Sequence, residues 1–477
     1  MKKEQRILYI IVGASGSGKT TLLQHIVYTK KLCSTANKYS SRELRPSDRD
    51  VNNAEISDDI TPLPILELEK KCDILYEIND NKYGVNSIEI IDSLDNNMNG
   101  LMLVMSDIRA IKILKKKVEY AGHLVKVIFL LSRMDSVTEF VRTWQSRVLD
   151  EFKSFDNKSL DRAEIEKINS RIRDELLEYL SIINSDLSQI NIELVSDCCS
   201  KITNLLPQSV TYRKRSEKIR LTFTQYVYNI GLFDYVILNT TTKEDMFTQA
   251  ERIIFHNYDV NIQRLPKHKR IKGPVVFLVC ASPKSGKGTL MENLNIMGVS
   301  QIQITPKYAN RDPASNDKRD GMIALGKAGF EAELTKTTDE YWEWTFHVMP
   351  SGGGTKYAVK RADIVDRLNK GICQIFVSNF EQLERVLSTR KNDDELLKVL
   401  DGIKDRLVLV YLHRVRTADE TNEQVVDEMR RREVSLSHQQ YINNITKIDH
   451  VIINPNHLTY SEDLHDQMMS LIELYQH

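Results

Sequence analysis

The stretch GASGSGKT, residues 13–20, follows the apolar run Ile7–Val12 and precedes TLLQHIVY, residues 21–28. It fits the spacing G-x-x-x-x-G-K-[ST], in which glycines let backbone N–H groups converge on phosphate oxygens without a Cβ in the way. The motif requires a strand before the loop and a helix after it, and the sequence predicts both. A purely structural glycine turn is the alternative, but it would not need Lys-Thr at a helix start. The stretch therefore predicts a nucleoside triphosphate site.

Each residue type in this first loop, residues 13–20, suits Mg²⁺ and ATP as cofactors. Lys19 adds positive charge near the β- and γ-phosphates, and the Thr20 hydroxyl is the expected Mg²⁺ ligand. The predicted cofactor-binding residues are Gly13, Ser15, Gly16, Ser17, Gly18, Lys19, Thr20 and Thr21.

A second loop, ASPKSGKGT at residues 281–289, follows the apolar run 275–280. Ala281 stands in the place of the first glycine, and Gly288 stands where the motif has Ser or Thr for Mg²⁺. Thr289 is one place later. The loop is either a nucleotide site or a decayed copy with a scaffolding role. Its candidate cofactor-binding residues are Gly286, Lys287, Gly288 and Thr289.

The chain repeats itself beyond the two loops. QYVYNIGLFDYVILN (225–239) matches QYINNITKIDHVIIN (440–454), KYSSR (38–42) matches KYANR (307–311), and KYGV (82–85) matches KYAV (356–359). Because the order is the same in both halves, we expect two tandem domains. Their predicted bounds are 1–258 and 274–477, with a linker at 259–273 and a charged, helix-rich insertion at about 150–222.

Apolar runs alternate with amphipathic segments, so the expected fold class is α/β, with a mainly parallel sheet flanked by helices in each domain. In the first half we expect strands near 7–12, 101–105, 125–131 and 234–239. The expected helices lie near 19–28, 107–119, 136–152 and 243–256.

Composition excludes some classes of partner. In the 477 residues, 66 Lys and Arg balance 66 Asp and Glu, which gives no electrostatic reason to expect a nucleic-acid or membrane surface. The 6 cysteines show no metal-type spacing, which favours a reduced, cytoplasmic protein. No stretch approaches the ~18 apolar residues of a membrane span.

A phosphate clamp is predicted by YSSRELRPSD, residues 39–48. Arg42 and Arg45, three apart after small hydroxyl residues, can hold a phosphate by paired N–H bonds. Asp107 ends an apolar run and is either a ligand for a metal or a substrate hydroxyl, or the N-cap of a helix.

In motif order, each half resembles the guanylate kinases and the related ribose bisphosphate phosphokinases, through GASGSGKTTLL, YSSRELRPSD, KYGVN, NGLMLVMSD and FDYVILN. The resemblance implies tandem P-loop kinase domains. It implies that Arg42, Arg45 and Tyr83 grip the acceptor's phosphate, and that lid arginines stabilise the transferring group. The lid candidates are Arg142, Arg171 and Arg173. In the second half Arg311 and Tyr357 match the clamp, whereas Ala314 replaces the second arginine.

The sequence departs from that family in the stretch that, in the family, contacts the guanine base. Where the family has an acidic and tyrosine-bearing stretch, this chain has RPSDRDVNNAEISDD, and Val85 replaces the threonine of Y-Y-G-T. We therefore expect ATP-dependent phosphoryl transfer by the first domain to a nucleoside monophosphate or related phosphorylated molecule, with a diverged second domain. The alternatives are a guanylate kinase-like scaffold or a nucleotide-gated ATPase switch. A protein partner would bind the 150–222 insertion.

Overall fold

The structure is a computed structural model. It describes residues 5–14, 16–42, 60–78, 81–96, 99–132, 210–240, 242–259, 271–282, 285–296, 298, 300–313, 317, 321–336, 341–346, 355–378, 380, 402–415, 428–455 and 461–476. The helix predicted at 136–152 and residues 150–209 of the insertion lie outside these ranges. The same is true of residues 260–270 of the linker.

The first central sheet carries the first loop on its middle strand. It contains β1 (Ile7–Val12), β2 (Ser34–Thr35), β7 (Leu101–Val104), β8 (Leu124–Ser132) and β9 (Tyr235–Asn239), in the order β2-β7-β1-β8-β9. Both β1 and β2 pair in parallel with β7. All six residues of β1 are buried, as expected for a strand covered on both faces. These strands confirm the expected positions.

Helices follow the strands, and those near 19–28, 107–119 and 243–256 lie where expected, whereas the helix at Val210–Tyr228 was not predicted individually. They are α1 (Lys19–Leu23), which continues as a π-helical turn (Gln24–Thr29), α4 (Ile108–Tyr120), α5 (Val210–Tyr228) and α6 (Lys243–Asp259). Helix α4 illustrates why the sequence forms a helix here. It buries Ile108, Ile111, Leu114 and Val118 at helical spacing, so that one apolar face is removed from water.

A smaller sheet, here called the first accessory sheet, is inserted between β2 and β7 in the chain. Its strands are β3 (Lys38–Ser40), β4 (Ile60–Pro62), β5 (Ile74–Ile78) and β6 (Asn81–Val85), in the order β4-β3-β6-β5. The helices α2 (Ile65–Lys71) and α3 (Ser87–Asn96) accompany it. The strand β6 runs antiparallel to both β3 and β5.

The second half has a five-stranded, parallel central sheet of its own. Its strands are β10 (Val276–Ala281), β11 (Ile302–Ile304), β16 (Cys373–Ser378), β17 (Leu407–Arg414) and β18 (His450–Asn454), in the order β11-β16-β10-β17-β18. The second accessory sheet contains β12 (Lys307–Ala309), β13 (Met322–Ala324), β14 (Tyr341–Phe346) and β15 (Thr355–Lys360), in the order β13-β12-β15-β14. The helices of the second half are α7 (Lys287–Ile296), α8 (Gly326–Lys336), α9 (Arg361–Asn369), α10 (Glu428–Asn444) and α11 (Ser461–Gln476).

The two halves have the same order of strands, and a buried glutamine makes the same contact in each. The Gln249 amide on α6 exchanges two hydrogen bonds with the backbone of Leu238 on β9, at 2.9 and 3.0 Å. In the other half, Gln467 on α11 does the same with Ile453 on β18, at 2.8 and 2.9 Å. Each buried amide satisfies the main-chain groups that an edge strand leaves unpaired. The sequence repeat is therefore also a repeat of topology.

The chain forms two compact units. The first contains residues 1–125, 130–225 and 416–426, and the second contains 126–129, 226–415 and 427–477. The division runs through β8, so β9 and α6 belong to the second unit although they complete the first repeat. The domain bounds at 258 and 274 stay a sequence-based prediction.

Candidate functional site

The first loop leaves β1 in a conformation that only glycine adopts without strain. Gly16 has φ +80° and Gly18 has φ +95°, both in the left-handed region. A Cβ on Gly13 would lie 2.6 Å from Ser17 Oγ and 2.7 Å from the carbonyl oxygen of Leu130. The loop is therefore a cradle whose shape depends on the absence of these side-chain atoms, which fits a phosphate chain held by backbone N–H groups.

Lys19 is turned towards the loop itself. Its Nζ donates hydrogen bonds to the carbonyl oxygens of Gly13 at 2.8 Å and Ala14 at 2.6 Å. The ammonium is thereby held against the backbone at the start of the first loop. Thr20 and Thr21 begin the helix and are half-buried.

Two of the predicted acceptor residues lie on or just after paired strands of the first accessory sheet. Ser40 on β3 is the register partner of Tyr83 on β6, and Arg42 follows two residues later. The Ser41 N–H donates to the Lys82 carbonyl at 2.9 Å, and the Ser41 hydroxyl accepts from the Lys82 N–H at 3.0 Å. Arg42 N–H donates to Ser40 Oγ at 3.1 Å, which turns the chain after β3. Tyr83 thus lies opposite Ser40, and Arg42 lies two residues beyond that pair.

A buried lysine connects this sheet to the first central sheet. Lys38 is 5% exposed, and its Nζ donates to the carbonyl oxygen of Val104 at 2.9 Å. Val104 ends β7 and is the register partner of Ile11 on β1. The start of β3 is therefore tied to the carboxyl edge of the sheet, the same edge from which the first loop leaves. Ligands of parallel α/β sheets bind at this edge.

Asp107 is an N-cap. Its Oδ1 accepts the Ala110 N–H at 2.7 Å, which satisfies one of the unpaired donors of the first turn of α4. The structure therefore shows the capping role, and the role towards a metal or a substrate hydroxyl stays a prediction.

The second loop keeps the turn of the first despite its different sequence. Gly286 has φ +99°, and the Ser285 N–H donates to the Ser282 carbonyl at 3.3 Å, as the Ser17 N–H does to Ala14 at 3.1 Å. The Leu290 N–H donates to the Gly286 carbonyl at 2.9 Å, and the Leu22 N–H donates to the Gly18 carbonyl at the same distance. In this register Gly288 matches Thr20, so the second loop has no hydroxyl at the Mg²⁺ position. Thr289 matches Thr21 and is exposed.

Asn454, at the end of β18, completes the second loop. Its Nδ2 donates to the Ser285 carbonyl at 2.9 Å, and a Cβ on Gly286 would lie 2.2 Å from that nitrogen. Gly286 is therefore required both by its φ and by the asparagine packed against it. Lys287 begins α7 next to this contact.

Arg311 and Tyr357 take the places of Arg42 and Tyr83 in the second accessory sheet. Ala309 is the register partner of Tyr357, and the Asn310 N–H donates to the Lys356 carbonyl at 3.1 Å. However, the Arg311 guanidinium is paired with the Asp317 carboxylate. Hydrogen bonding to Asp317 raises the pKa of Arg311, with a further contribution from Tyr357.

Several predicted site residues lie outside the described part of the chain. They are Ser15, Arg45, Arg142, Arg171 and Arg173. Their roles stay predictions.

Sequence reasoning missed Lys38, Asn454 and Asp317. Two of them could have been found from the internal repeat, because Lys38 and Asn454 belong to the repeated segments KYSSR/KYANR and VILN/VIIN. The matched lysine, Lys307, also bonds to the end of a central strand, at 3.4 Å from the Val377 carbonyl. In both halves, therefore, a buried lysine joins the first strand of the accessory sheet to the central sheet.

Comparison with known proteins adds little to these observations. No protein-family model matches the sequence, and no curated protein matches it significantly. Among solved structures, the chain is similar to a guanylate kinase from Anaplasma phagocytophilum, with 17% identity and a TM-score of 0.28. That match covers 43% of this chain and 88% of the other. Similarity at this level does not establish a family or an activity.

In the described part of the chain, no helix has the length and apolar character needed to cross a membrane. The same residues contain no cluster of three or more His, Cys, Asp or Glu side chains arranged to hold a metal.

Proposed function

We propose that the first loop and the first accessory sheet transfer a phosphoryl group from ATP to a nucleoside monophosphate or a related phosphorylated small molecule. The observation that carries this proposal is the bond from Lys38 to Val104. Because Val104 pairs with Ile11, this bond ties the strand leading to Arg42 to the edge where the first loop begins. The bond thus supports a donor site and an acceptor site that meet at the carboxyl edge of the first central sheet.

The loop residues fit a Mg²⁺·ATP donor, which would supply the phosphoryl group. The backbone of 13–20 would hold the phosphate chain, the Thr20 hydroxyl would hold the metal, and Lys19 would balance negative charge. Phosphoryl transfer depends mainly on positioning and charge stabilisation, so residues of this kind can account for most of the catalysis.

The acceptor side rests on Arg42 and Tyr83. A guanidinium binds two phosphate oxygens in a planar fork, and a tyrosine hydroxyl adds a further donor. Tyr83 lies on β6 opposite Ser40 of β3, and Arg42 follows that strand by two residues, which supports a shared role for the two side chains. Arg45 and the lid arginines would add charge from outside the described ranges.

Removal of the Lys19 ammonium tests the donor site. We expect Lys19→Ala to lower the rate of transfer by about 10²–10³-fold or more, because one preorganised charge contact is removed from the transition state. Lys116→Ala, on the exposed face of α4, is the matched control and should leave turnover unchanged. Unaltered turnover in Lys19→Ala would exclude the assignment.

A panel of acceptors distinguishes the proposal from its alternatives. ATP is incubated with nucleoside monophosphates, deoxynucleoside monophosphates and ribose phosphates, and the products are separated by chromatography. Transfer to an acceptor supports the kinase. Loss of ATP alone indicates a nucleotide-gated switch, and the absence of both reactions indicates a binding protein.

A further inference from the structure

The second accessory sheet contains two residues that match Arg42 and Tyr83 of the first half, here called the anion seat. A carboxylate of the protein already binds its arginine. The seat consists of Arg311, two residues after the end of β12, and Tyr357, on β15. Arg311 Nη1 donates to Asp317 Oδ2 at 3.1 Å, and Nη2 donates to Asp317 Oδ1. Nη1 also donates to the main-chain carbonyl of Asp312 at 2.8 Å. The fork that could hold two phosphate oxygens therefore holds two carboxylate oxygens.

This carboxylate is a fixed part of the fold. Asp317 is 7% exposed, and its main-chain carbonyl accepts the N–H of Met322, the first residue of β13, at 2.8 Å. At the other end of the seat, the Gly326 N–H donates to the Arg311 carbonyl at 3.0 Å. The main chain of Asp317 is thus attached to β13, and that of Arg311 to the start of α8. The Asp317 side chain is 9% exposed and that of Arg311 is 30% exposed, so separating the pair would leave a largely buried carboxylate without its partner charge.

The balance of charge differs between the two halves. At matched positions the first half has Arg42, Arg45 and Asp48, whereas the second has Arg311, Ala314 and Asp317. If each aspartate takes one guanidinium, the first half retains a second arginine for a phosphate. At these positions the second half retains none.

We propose that Asp317 acts as a built-in anion for Arg311 and thereby prevents the second accessory sheet from binding phosphate monoesters. The anion-seat interpretation rests on the function proposed above for the matched residues Arg42 and Tyr83. Acceptor binding is then confined to the first half, and the second half keeps a loop of phosphate-binding shape without a working acceptor site.

The test is a phosphate titration of the full chain. Inorganic phosphate is titrated by calorimetry into the wild type, Asp317→Asn, Asp317→Asn with Arg311→Ala, and Arg311→Ala alone. The asparagine is isosteric, so it removes the charge with little change of shape. We expect Asp317→Asn to gain a phosphate site at least about ten-fold tighter than any site the wild type has there, because charge-assisted bonds to Arg311 become available.

The remaining variants decide whether the gain belongs to this seat. Arg311→Ala should abolish the gain, yet should leave phosphate binding by the wild-type chain unchanged. Asp312→Asn is the matched control, since it removes an exposed neighbouring carboxylate and should produce no new site. The proposal is wrong if Asp317→Asn gains nothing while its thermal unfolding stays cooperative. It is equally wrong if the gain survives loss of Arg311, or if Arg311→Ala weakens wild-type binding.

These titrations do not involve turnover. A failure of the kinase proposal would be seen as unaltered transfer by Lys19→Ala, and a failure of the present one as an unaltered phosphate isotherm for Asp317→Asn.

Discussion

At the scale of single residues, the two halves differ at the first position of the loop. Gly13 lies against Ser17 Oγ and the backbone carbonyl of Leu130, and neither distance leaves room for a methyl group. Its counterpart in the second loop is Ala281, which is buried. The second loop thus accommodates a Cβ where the first has no space for one, although both make the same turn.

We predict that Gly13→Ala displaces the first loop and weakens binding of ATP by about ten-fold or more, with a loss of about 1–3 kcal/mol in the free energy of unfolding from overpacking. Fluorescence titration with a labelled ATP and urea denaturation measure the two effects. The reverse change, Ala281→Gly, is the control and should not alter binding at the first loop. Tight ATP binding by a stable Gly13→Ala protein would contradict the steric argument.

At the scale of secondary structure, the pair formed by β17 and α10 differs from its repeat in chemistry. The Tyr411 and Tyr441 rings stack at 4.5 Å, as the rings of Phe129 and Tyr226 do in the first repeat. One turn along α10, His438 occupies the position that Phe223 has in α5, and its ring lies 6.4 Å from that of His413. The second repeat thus has a titratable histidine where the first has an apolar phenylalanine.

Burial lowers the pKa of His438, and the nearby Asp245 opposes this in part. The folded chain therefore binds a proton less readily than the unfolded chain, whose histidine titrates near pH 6.5. As the pH falls below about 6.5, the free energy of unfolding should decrease, until the folded-state pKa is passed. We predict that His438→Phe and His438→Asn reduce this loss between pH 7.5 and 5.0, as measured by urea denaturation. An identical pH dependence in the wild type and both variants would exclude His438 as the source.

At the scale of the whole molecule, the second compact unit joins the end of the first repeat to the second repeat by a reciprocal contact. The Tyr226 hydroxyl donates to the Val451 carbonyl at 2.5 Å, and the Tyr441 hydroxyl donates to the Val236 carbonyl at 2.6 Å. The two tyrosines are matched residues of the repeat, and so are the two valines. Burial raises the pKa of both hydroxyls, which keeps them protonated as donors.

Because the two bonds are equivalent by the repeat, we predict that Tyr226→Phe and Tyr441→Phe lower the free energy of unfolding by similar amounts, about 1–3 kcal/mol each, since each leaves a buried carbonyl unsatisfied. Equilibrium urea unfolding measures this. Tyr120→Phe, at a position 95% exposed, is the control and should change stability by less than about 0.5 kcal/mol. A large loss in one variant and none in the other would show that the contacts are not equivalent.

Much of the fold was predictable because its signals are local. The apolar runs that became β1, β7, β8 and β9 were found within a residue or two of their ends, since burial on both faces demands unbroken apolar sequence. The short strands of the accessory sheets were not predicted individually. Segments of three to six residues carry too few side chains for a period to be recognised, and their pairing is decided by distant partners.

The sequence by itself determined the turn of the first loop, through glycines at positive φ, and the repeat, through words that recur in the same order. Only the tertiary structure decided that Lys38 is bound at the end of β7, that Asp107 caps α4, and that Arg311 is held by Asp317. The physical reason is that a backbone torsion depends on the residue itself, whereas the partner of a charged side chain depends on which segments the fold brings together.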